Sequence, residues 1–152
     1  MHIPKKLQVL ILMRHADWTG PDHELTEKGI GGARLAAAAI RDHCQGSIAL
    51  LEELFAPEVR RTVDLVKQAT GGIVLIATWS AGPKRELDLT GSEFEEFSTI
   101  ILVGHEPDLD QLLEAQLLWR DGSRLRGYPQ GFGYANGVII NFATQRIKKI
   151  RP

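Results

Sequence analysis

The segment LQVLILMRHA (residues 7–16) is the part of the sequence that indicates the fold. Its first seven residues form a short, nearly continuous apolar run, which is typical of a β-strand covered on both faces. The run ends abruptly at Arg14 and His15, two side chains that are costly to bury. Their position predicts that the strand leads directly into a functional site.

Apolar strands and helical segments alternate along the rest of the chain. Four further strands are predicted, at residues 47–55, 72–77, 98–104 and 137–142. Three helices are predicted, beginning after a Thr26 cap, at Pro57 and after an Asp108 cap. The alternation predicts an α/β fold, a three-layer sandwich with a mainly parallel central sheet and helices on both faces. We expect a single domain over residues 1–152, with the last strand at an edge of the sheet.

Composition excludes several classes of function. The formal net charge of the 152 residues is −1, which gives no general attraction for nucleic acid or for an anionic membrane. No apolar run approaches the roughly 18 residues that a membrane-spanning helix needs. Cys44 is the one cysteine, so no internal disulfide can form, and a buried structural role is expected for it. We therefore expect a monomeric cytoplasmic protein without nucleic-acid or membrane partners.

Basic side chains follow the predicted strands at the positions where ligands collect in α/β proteins. Arg14 and His15 follow the first strand, and His105 follows the strand at 98–104. Arg60 lies in the first turn of a helix, whose free amides attract anions. In open α/β sheets, ligands bind beyond the carboxyl ends of the strands. Two arginines and two histidines at one such edge predict a phosphate site, although each residue alone would be unremarkable.

Four segments carry a resemblance to a known family. The triplet in LMRHA resembles the R-H-[GA] signature of the histidine phosphatase (phosphoglycerate mutase-like) superfamily. The segment DHELTEKG is similar to the D-x-R-x-L-T-x-x-G of its small phosphohistidine phosphatase, or SixA-like, branch. APEVRRT resembles S-P-x-x-R-x-x-Q-T, with Arg60 at the arginine, and ILVGHEPDL resembles the second histidine motif. The four segments occur in the family's order over residues 7–142.

The resemblance implies a mechanism. His15 would be the nucleophile, forming a covalent phosphohistidine that water then hydrolyses. Arg14, Arg60 and His105 would bind the phosphoryl oxygens, and the arginines would lower the pKa of His15 so that its imidazole stays neutral. A fixed cationic cluster of this kind needs no metal and no cofactor.

Three features depart from the family pattern. Ala56 replaces the serine before the proline, which removes a possible helix cap. His23 stands where the branch commonly has an arginine, so one substrate contact is expected to be weaker or pH-dependent. The general acid has no clear counterpart. Glu86 is the best candidate for that position beside the substrate, with Asp17 or Asp88 as substitutes, but an ordinary surface carboxylate is the preferred interpretation of Glu86.

The sequence contains no complete motif for metal or nucleotide binding. HEPDL begins like the zinc-protease motif H-E-x-x-H, but its last position is Leu109, and arginines nearby would repel a divalent cation. The glycines at positions 29, 31 and 32 do not form a nucleotide-binding loop. We therefore predict no metal site.

These observations favour a phosphatase whose substrate is a phosphorylated protein. Larger relatives enclose small substrates with inserted segments, and this chain has little room for one, so an open cleft suited to protein phosphohistidine is expected. The first alternative is a phosphomonoesterase for small phosphorylated metabolites, with the glycine-rich segment 119–137 folding over the ligand. The second alternative is a non-catalytic phosphate-binding module.

Overall fold

The computed structural model describes residues 3–54, 56–79, 89, 92–106, 108–116, 118–128 and 131–151, without the side chains of 114–116. Six strands form one sheet: β1 (Val9–Arg14), β4 (Ile48–Glu53), β5 (Ile73–Trp79), β6 (Thr99–Gly104), β7 (Gly137–Asn141) and β8 (Arg146–Ile150). Two short strands form a separate hairpin, β2 (Trp18–Thr19) and β3 (Glu24–Leu25). The helices are α1 (Glu27–His43), α2 (Pro57–Thr70) and α3 (Asp108–Gln116), and a 3₁₀ turn covers Ser92–Phe94.

The predicted helix starts are confirmed for α1 and α2. Thr26 caps α1, because its side chain accepts a hydrogen bond from the Gly29 amide. Pro57 is the first residue of α2, where its missing N–H costs nothing. Ala56 provides no side-chain cap at the start of α2. Gly71 follows the last residue of α2 and has a φ of 62°, which favours glycine.

The sheet is mixed, in the order β5-β4-β6-β1-β7-β8. The four strands β5, β4, β6 and β1 run parallel, so their carboxyl ends lie along one edge of the sheet. β7 and β8 are added antiparallel to β1 and to each other. The central pair β1 and β6 is apolar throughout, as expected for strands covered on both faces.

Alternate residues of the central strands contribute to two separate cores. On one face Val9, Ile11 and Met13 pack with the alanine-rich side of α1 and the valines of α2. On the other face Leu10 and Leu12 pack with the leucines of α3. Helices therefore cover both faces of the sheet, and the predicted three-layer α/β architecture is confirmed.

Two details of the prediction are wrong. The strand predicted at the edge, β7, pairs on both sides, because the polar segment RIKKI forms β8 beside it. Its charged residues suit an edge strand, where one face meets water. The loop after β1 also contains the β2–β3 hairpin. Each of its strands has two residues, which is too short for a hydrophobic pattern to show.

Candidate active site

The parallel register of β1 and β6 brings His15 and His105 together. Arg14 pairs with Gly104, so the two histidines are the next residues on neighbouring strands. The His15 amide donates to the Gly104 carbonyl at 3.0 Å. The ring centroids lie 4.8 Å apart in an edge-to-face arrangement. The juxtaposition expected from the sequence is therefore present.

His15 is held as a neutral imidazole with one free nitrogen. Its side chain is buried, with an exposed fraction of 2%. Its Nδ1 lies 2.9 Å from the Ala16 carbonyl oxygen, which can only accept, so Nδ1 carries the proton. Burial is the main cause that lowers the pKa of His15, and the charges of His105 and Arg14 lower it further. In this tautomer Nε2 holds the lone pair.

His105 is in the opposite state because two carboxylates hold it. Glu53 Oε2 accepts from both the backbone amide of His105, at 2.7 Å, and its Nδ1, at 2.9 Å. Glu58 Oε1 accepts from Nε2 at 2.6 Å. These bonds, led by the one to Glu53, raise the pKa of His105 to about 9. His105 is therefore a cation at neutral pH.

Gly104 creates the room for this arrangement. A Cβ at this position would lie 2.7 Å from Glu53 Oε2 and would overlap the ring of Trp79. The Trp79 indole is itself fixed by a hydrogen bond from Nε1 to the Val103 carbonyl. A side chain at Gly104 would therefore displace the carboxylate that holds His105.

Glu58 was not predicted as a site residue. It reaches the histidines because of the way in which α2 packs against the end of β1. The Thr62 hydroxyl accepts from the Ala16 amide at 2.9 Å and fixes α2 against the end of β1. In the motif S-P-x-x-R-x-x-Q-T the arginine stands four residues before the threonine. Counted back from Thr62, that position is Glu58; counted forward from Pro57, it is Arg60. The count from the threonine was the available signal.

Arg60 does not join the two histidines. Its guanidinium forms a bidentate pair with Glu52, with Nε donating to Oε2 at 2.7 Å and the second bond at 2.6 Å. About two thirds of its side chain is exposed, and it makes no described contact with His15 or His105. The prediction that Arg60 joins Arg14 beside the histidines is therefore wrong. The orientation of α2 directs Arg60 away from the histidines and Glu58 toward them.

Arg14 reaches the site together with part of the glycine-rich segment. Its guanidinium donates to the Phe132 carbonyl at 2.9 Å and lies 4.2 Å from the ring centroid of Tyr134. The Tyr134 ring is also 5.5 Å from that of His15. Arg14 Nε is buried and has no hydrogen-bond partner among the described residues, so one donor is available for a ligand.

His23 lies beside Glu58, at the margin of the histidine pair. Its Nδ1 lies 3.0 Å from Glu58 Oε2, and its ring stacks on Trp18 with 4.4 Å between centroids. Arg61 fixes the backbone there by donating to the His23 carbonyl at 2.7 Å. The φ of His23 is 52°, a left-handed conformation that non-glycine residues adopt only where surrounding contacts hold it.

Of the three candidate acids, only Asp17 lies within the described residues, because Glu86 and Asp88 fall outside them. Asp17 accepts a hydrogen bond from the Thr26 hydroxyl at 2.9 Å, which ties it to the start of α1. A further carboxyl, Glu106, was not singled out from the sequence. Burial and the neighbouring Asp110 raise the pKa of Glu106 to about 8, so it keeps its proton at neutral pH.

A hollow of about 570 Å³ adjoins the cluster. Tyr134 forms part of its wall and also contacts Arg14 and His15, so the hollow and the histidine pair share one boundary. The remaining lining comes from the start of α1 and from the segment before β7, and consists of Asp17, Lys28, Gly29, Gly31, Gly32, Leu35, Gly133, Ala135 and Asn136.

Cys44 has the structural character expected for it. It is half-buried beyond the end of α1, and burial raises the pKa of its thiol to about 11, which disfavours a thiolate nucleophile. Within the described part of the chain, no helix has the length and apolar character to cross a membrane.

Comparison with known proteins gives a clear result for structure but none for sequence. No family model matches the chain, and no curated protein is similar to it in sequence. A solved structure named as the phosphohistidine phosphatase SixA of Agrobacterium tumefaciens aligns with a TM-score of 0.67 and 21% identity, covering 95% of this chain and 98% of the other.

Two further structures align over similar lengths. The protein histidine phosphatase SixA complexed with tungstate gives a TM-score of 0.66 at 14% identity, with 95% of this chain and 97% of the other covered. A protein named as an alpha-ribazole-5'-P phosphatase of Escherichia coli gives 0.55 at 13% identity, with the same two coverages. The chain therefore has the phosphoglycerate mutase-like α/β fold of these structures.

Proposed function

We propose that this chain is a metal-independent phosphatase that works through a phosphohistidine on His15. The observation that carries the proposal is the state of that residue: a buried, neutral imidazole whose Nδ1–H is fixed by the Ala16 carbonyl. A nucleophilic nitrogen must keep its lone pair, and the lowered pKa of His15 maintains it. Pure binding of phosphate would not require such a nitrogen.

The reaction has two steps. His15 Nε2 bonds to phosphorus while the bond from phosphorus to the leaving group breaks, and the leaving group takes up a proton. Water then attacks the phosphorus, the bond to Nε2 breaks, and inorganic phosphate leaves with the neutral imidazole restored. Arg14, through its unpartnered Nε, and cationic His105 are the groups that would bind the phosphoryl oxygens.

Glu58 changes how this site meets its substrate. Its carboxylate accepts from His105 Nε2, so a phosphoryl oxygen must compete for that donor. The carboxylate also repels a dianion, which weakens phosphate binding relative to a site with an arginine in that place. Such a site suits a substrate that gains further contacts away from the phosphoryl group.

Protein phosphohistidine is the substrate we favour. The chain of 152 residues leaves little room for an inserted segment over the cleft. One aligned structure is named as a phosphohistidine phosphatase SixA and another as a protein histidine phosphatase SixA. Imidazole is also a better leaving group than an alkoxide once protonated, so its departure depends less on a general acid. The hollow beside Tyr134 favours the second candidate, a phosphomonoesterase for small metabolites, because it could hold the organic part of such a molecule.

The decisive experiment is to trap the intermediate. The full chain is incubated briefly with radiolabelled phosphoramidate, and the label is tested for acid lability and located by peptide mapping. We expect an acid-labile label on His15 that is absent from His15→Ala and present in His43→Ala, a matched histidine control in α1. Label on another residue, or label that survives acid, would contradict the mechanism.

The substrate and the role of metals need separate measurements. Turnover of a phosphohistidine peptide is compared with turnover of small phosphomonoesters; a much higher kcat/KM for the esters would favour the second candidate. Removing bound metal from the purified protein with EDTA should not lower its activity. Loss of activity on chelation would show that the reaction needs a metal.

A further inference from the structure

We infer that the cluster of His15, Glu58 and His105 also binds a divalent transition-metal ion, with Zn²⁺ as the best fit. One ligand atom from each residue lies within 4.8 Å of the others. Tetrahedral Zn²⁺, with bonds of about 2.0–2.1 Å, separates its ligand atoms by roughly 3.3 Å. Small side-chain rotations would therefore bring the three ligand atoms to bonding distance from one ion.

The ligand types favour zinc over a harder cation. Two imidazole nitrogens and one carboxylate oxygen form a set that Zn²⁺ accepts readily, whereas Mg²⁺ and Ca²⁺ prefer oxygen ligands alone. Three protein ligands leave the fourth tetrahedral position open to water or to a phosphoryl oxygen. When the ion binds, it replaces the proton now held between His105 Nε2 and Glu58 Oε1, and that proton passes to solvent.

Each of the three ligands already has an outer partner that orients it. The Ala16 carbonyl fixes Nδ1 of His15, and Glu53 fixes Nδ1 of His105, so both rings present Nε2 to the cluster. His23 Nδ1 lies 3.0 Å from Glu58 Oε2 and leaves Oε1 toward the histidines. Partners of this kind set the tautomer and direction of metal ligands.

The charge balance also permits a cation here. Two arginines beside the histidines, as expected from the sequence, would repel a divalent cation. In the structure Arg60 is paired with Glu52, and the carboxylates of Glu53 and Glu58 face His105 instead. Arg14 is then the one arginine found beside the cluster among the described residues, and the two carboxylates outweigh its charge.

Binding would inhibit the proposed phosphatase. Zn²⁺ on His15 Nε2 uses the lone pair that attacks phosphorus, so the metal and the phosphohistidine exclude each other. This consequence rests on the proposed function, but binding itself does not. Heat of binding measures the metal site whether or not the chain turns over a substrate, so failure of one proposal can be distinguished from failure of the other.

The test is isothermal titration of the metal-free full chain with Zn²⁺ in a buffer without phosphate. We expect one ion per chain, with affinity reduced at least tenfold in Glu58→Gln and in His15→Ala. The control is the double variant His43→Ala/Cys44→Ser, which removes the last residue of α1 and the thiol that follows it, and which should bind Zn²⁺ normally. Circular dichroism of each variant checks that it folds.

Two results would overturn the inference. One is the absence of any binding by the wild-type chain. The other is binding that persists in both Glu58→Gln and His15→Ala but disappears in the double variant, which would place the ion at Cys44. In a separate reaction, Zn²⁺ should suppress labelling of His15 by phosphoramidate, and EDTA should restore it; heat of binding without suppression would exclude His15 as a ligand.

Discussion

The ends of β1 and β6 present the same residue type in opposite chemical states. His15 follows β1 and is almost fully buried, and this burial lowers its pKa, while its Nδ1–H donates a hydrogen bond to a backbone carbonyl. His105 follows β6, meets a carboxylate at each nitrogen, and its pKa rises to about 9. Adjacent strands in register thus place a neutral imidazole beside an imidazolium.

This difference shows that burial at His15 and carboxylate acceptors at His105, and not the residue type, determine the role of each histidine. A carbonyl oxygen fixes a tautomer without stabilising a positive charge as strongly as a carboxylate does. The same strand-end position therefore yields a nucleophile in one case and an electrostatic partner in the other. Pairs of titratable groups whose environments separate their pKa values are typical of sites where one group reacts and the other stabilises charge.

Removing the two histidines separately gives the largest expected effects. His15→Ala should lower kcat by about 10⁴-fold, because it removes the atom that bonds to phosphorus. His105→Asn should lower kcat by about 10²-fold to 10³-fold, the usual cost of one charge-stabilising donor. Steady-state rates with a phosphohistidine peptide measure both. Equal losses in the two variants, with no phosphoramidate label in either, would mean that the roles are not divided as proposed.

Replacing Glu53 by glutamine sharpens the comparison through pH. The raised pKa of His105 means that its charge persists up to about pH 9 and is lost as pH rises through that value. In Glu53→Gln the amide oxygen can still accept from the ring but no longer stabilises the charge. The alkaline fall in kcat should therefore move to lower pH, toward the ordinary histidine value near 6.5.

A pH–rate profile of both proteins in the presence of EDTA provides the measurement. The acidic side of the profile should change less than the alkaline side, because His105, whose charge lowers the pKa of His15, is protonated there in both proteins. An unchanged alkaline side in Glu53→Gln would show that the charge on His105 is not needed for turnover.

The sequence predicted those parts of the molecule that depend on local patterns. Nearly continuous apolar runs located β1 and β6, a run interrupted by two glutamates located β4, and the rule for strand ends placed His15 and His105 on one edge. The cap at Thr26 and the proline at position 57 marked the starts of two helices. These signals involve neighbouring residues, so one chain is enough to interpret them.

The remaining features depend on helix rotation and long-range pairing. Arg60 and Glu58 are two residues apart in α2, about 200° around the helix, so the choice of which one faces the histidines follows from how α2 packs. That packing is fixed by Thr62 against the Ala16 amide, a contact between residues 46 apart. Glu53 obeys the same strand-end rule as His15 and could have been found by applying the rule to β4.

Replacing Arg14 and Arg60 separately tests the orientation of α2, and Arg60→Ala has the smallest expected effect on activity. Arg14→Ala should lower kcat/KM by roughly 10²-fold, because it removes a half-buried charge beside His15. Arg60→Ala should change kcat/KM by less than about twofold, since Arg60 pairs with Glu52 and makes no described contact with either histidine. Both are measured with the same peptide substrate.

If Arg60→Ala caused a loss as large as Arg14→Ala, Arg60 would have to leave Glu52 for the phosphoryl group. In that case Glu52→Gln, which frees the guanidinium, should raise kcat/KM, whereas an arginine that stays outside the site leaves Glu52→Gln without effect.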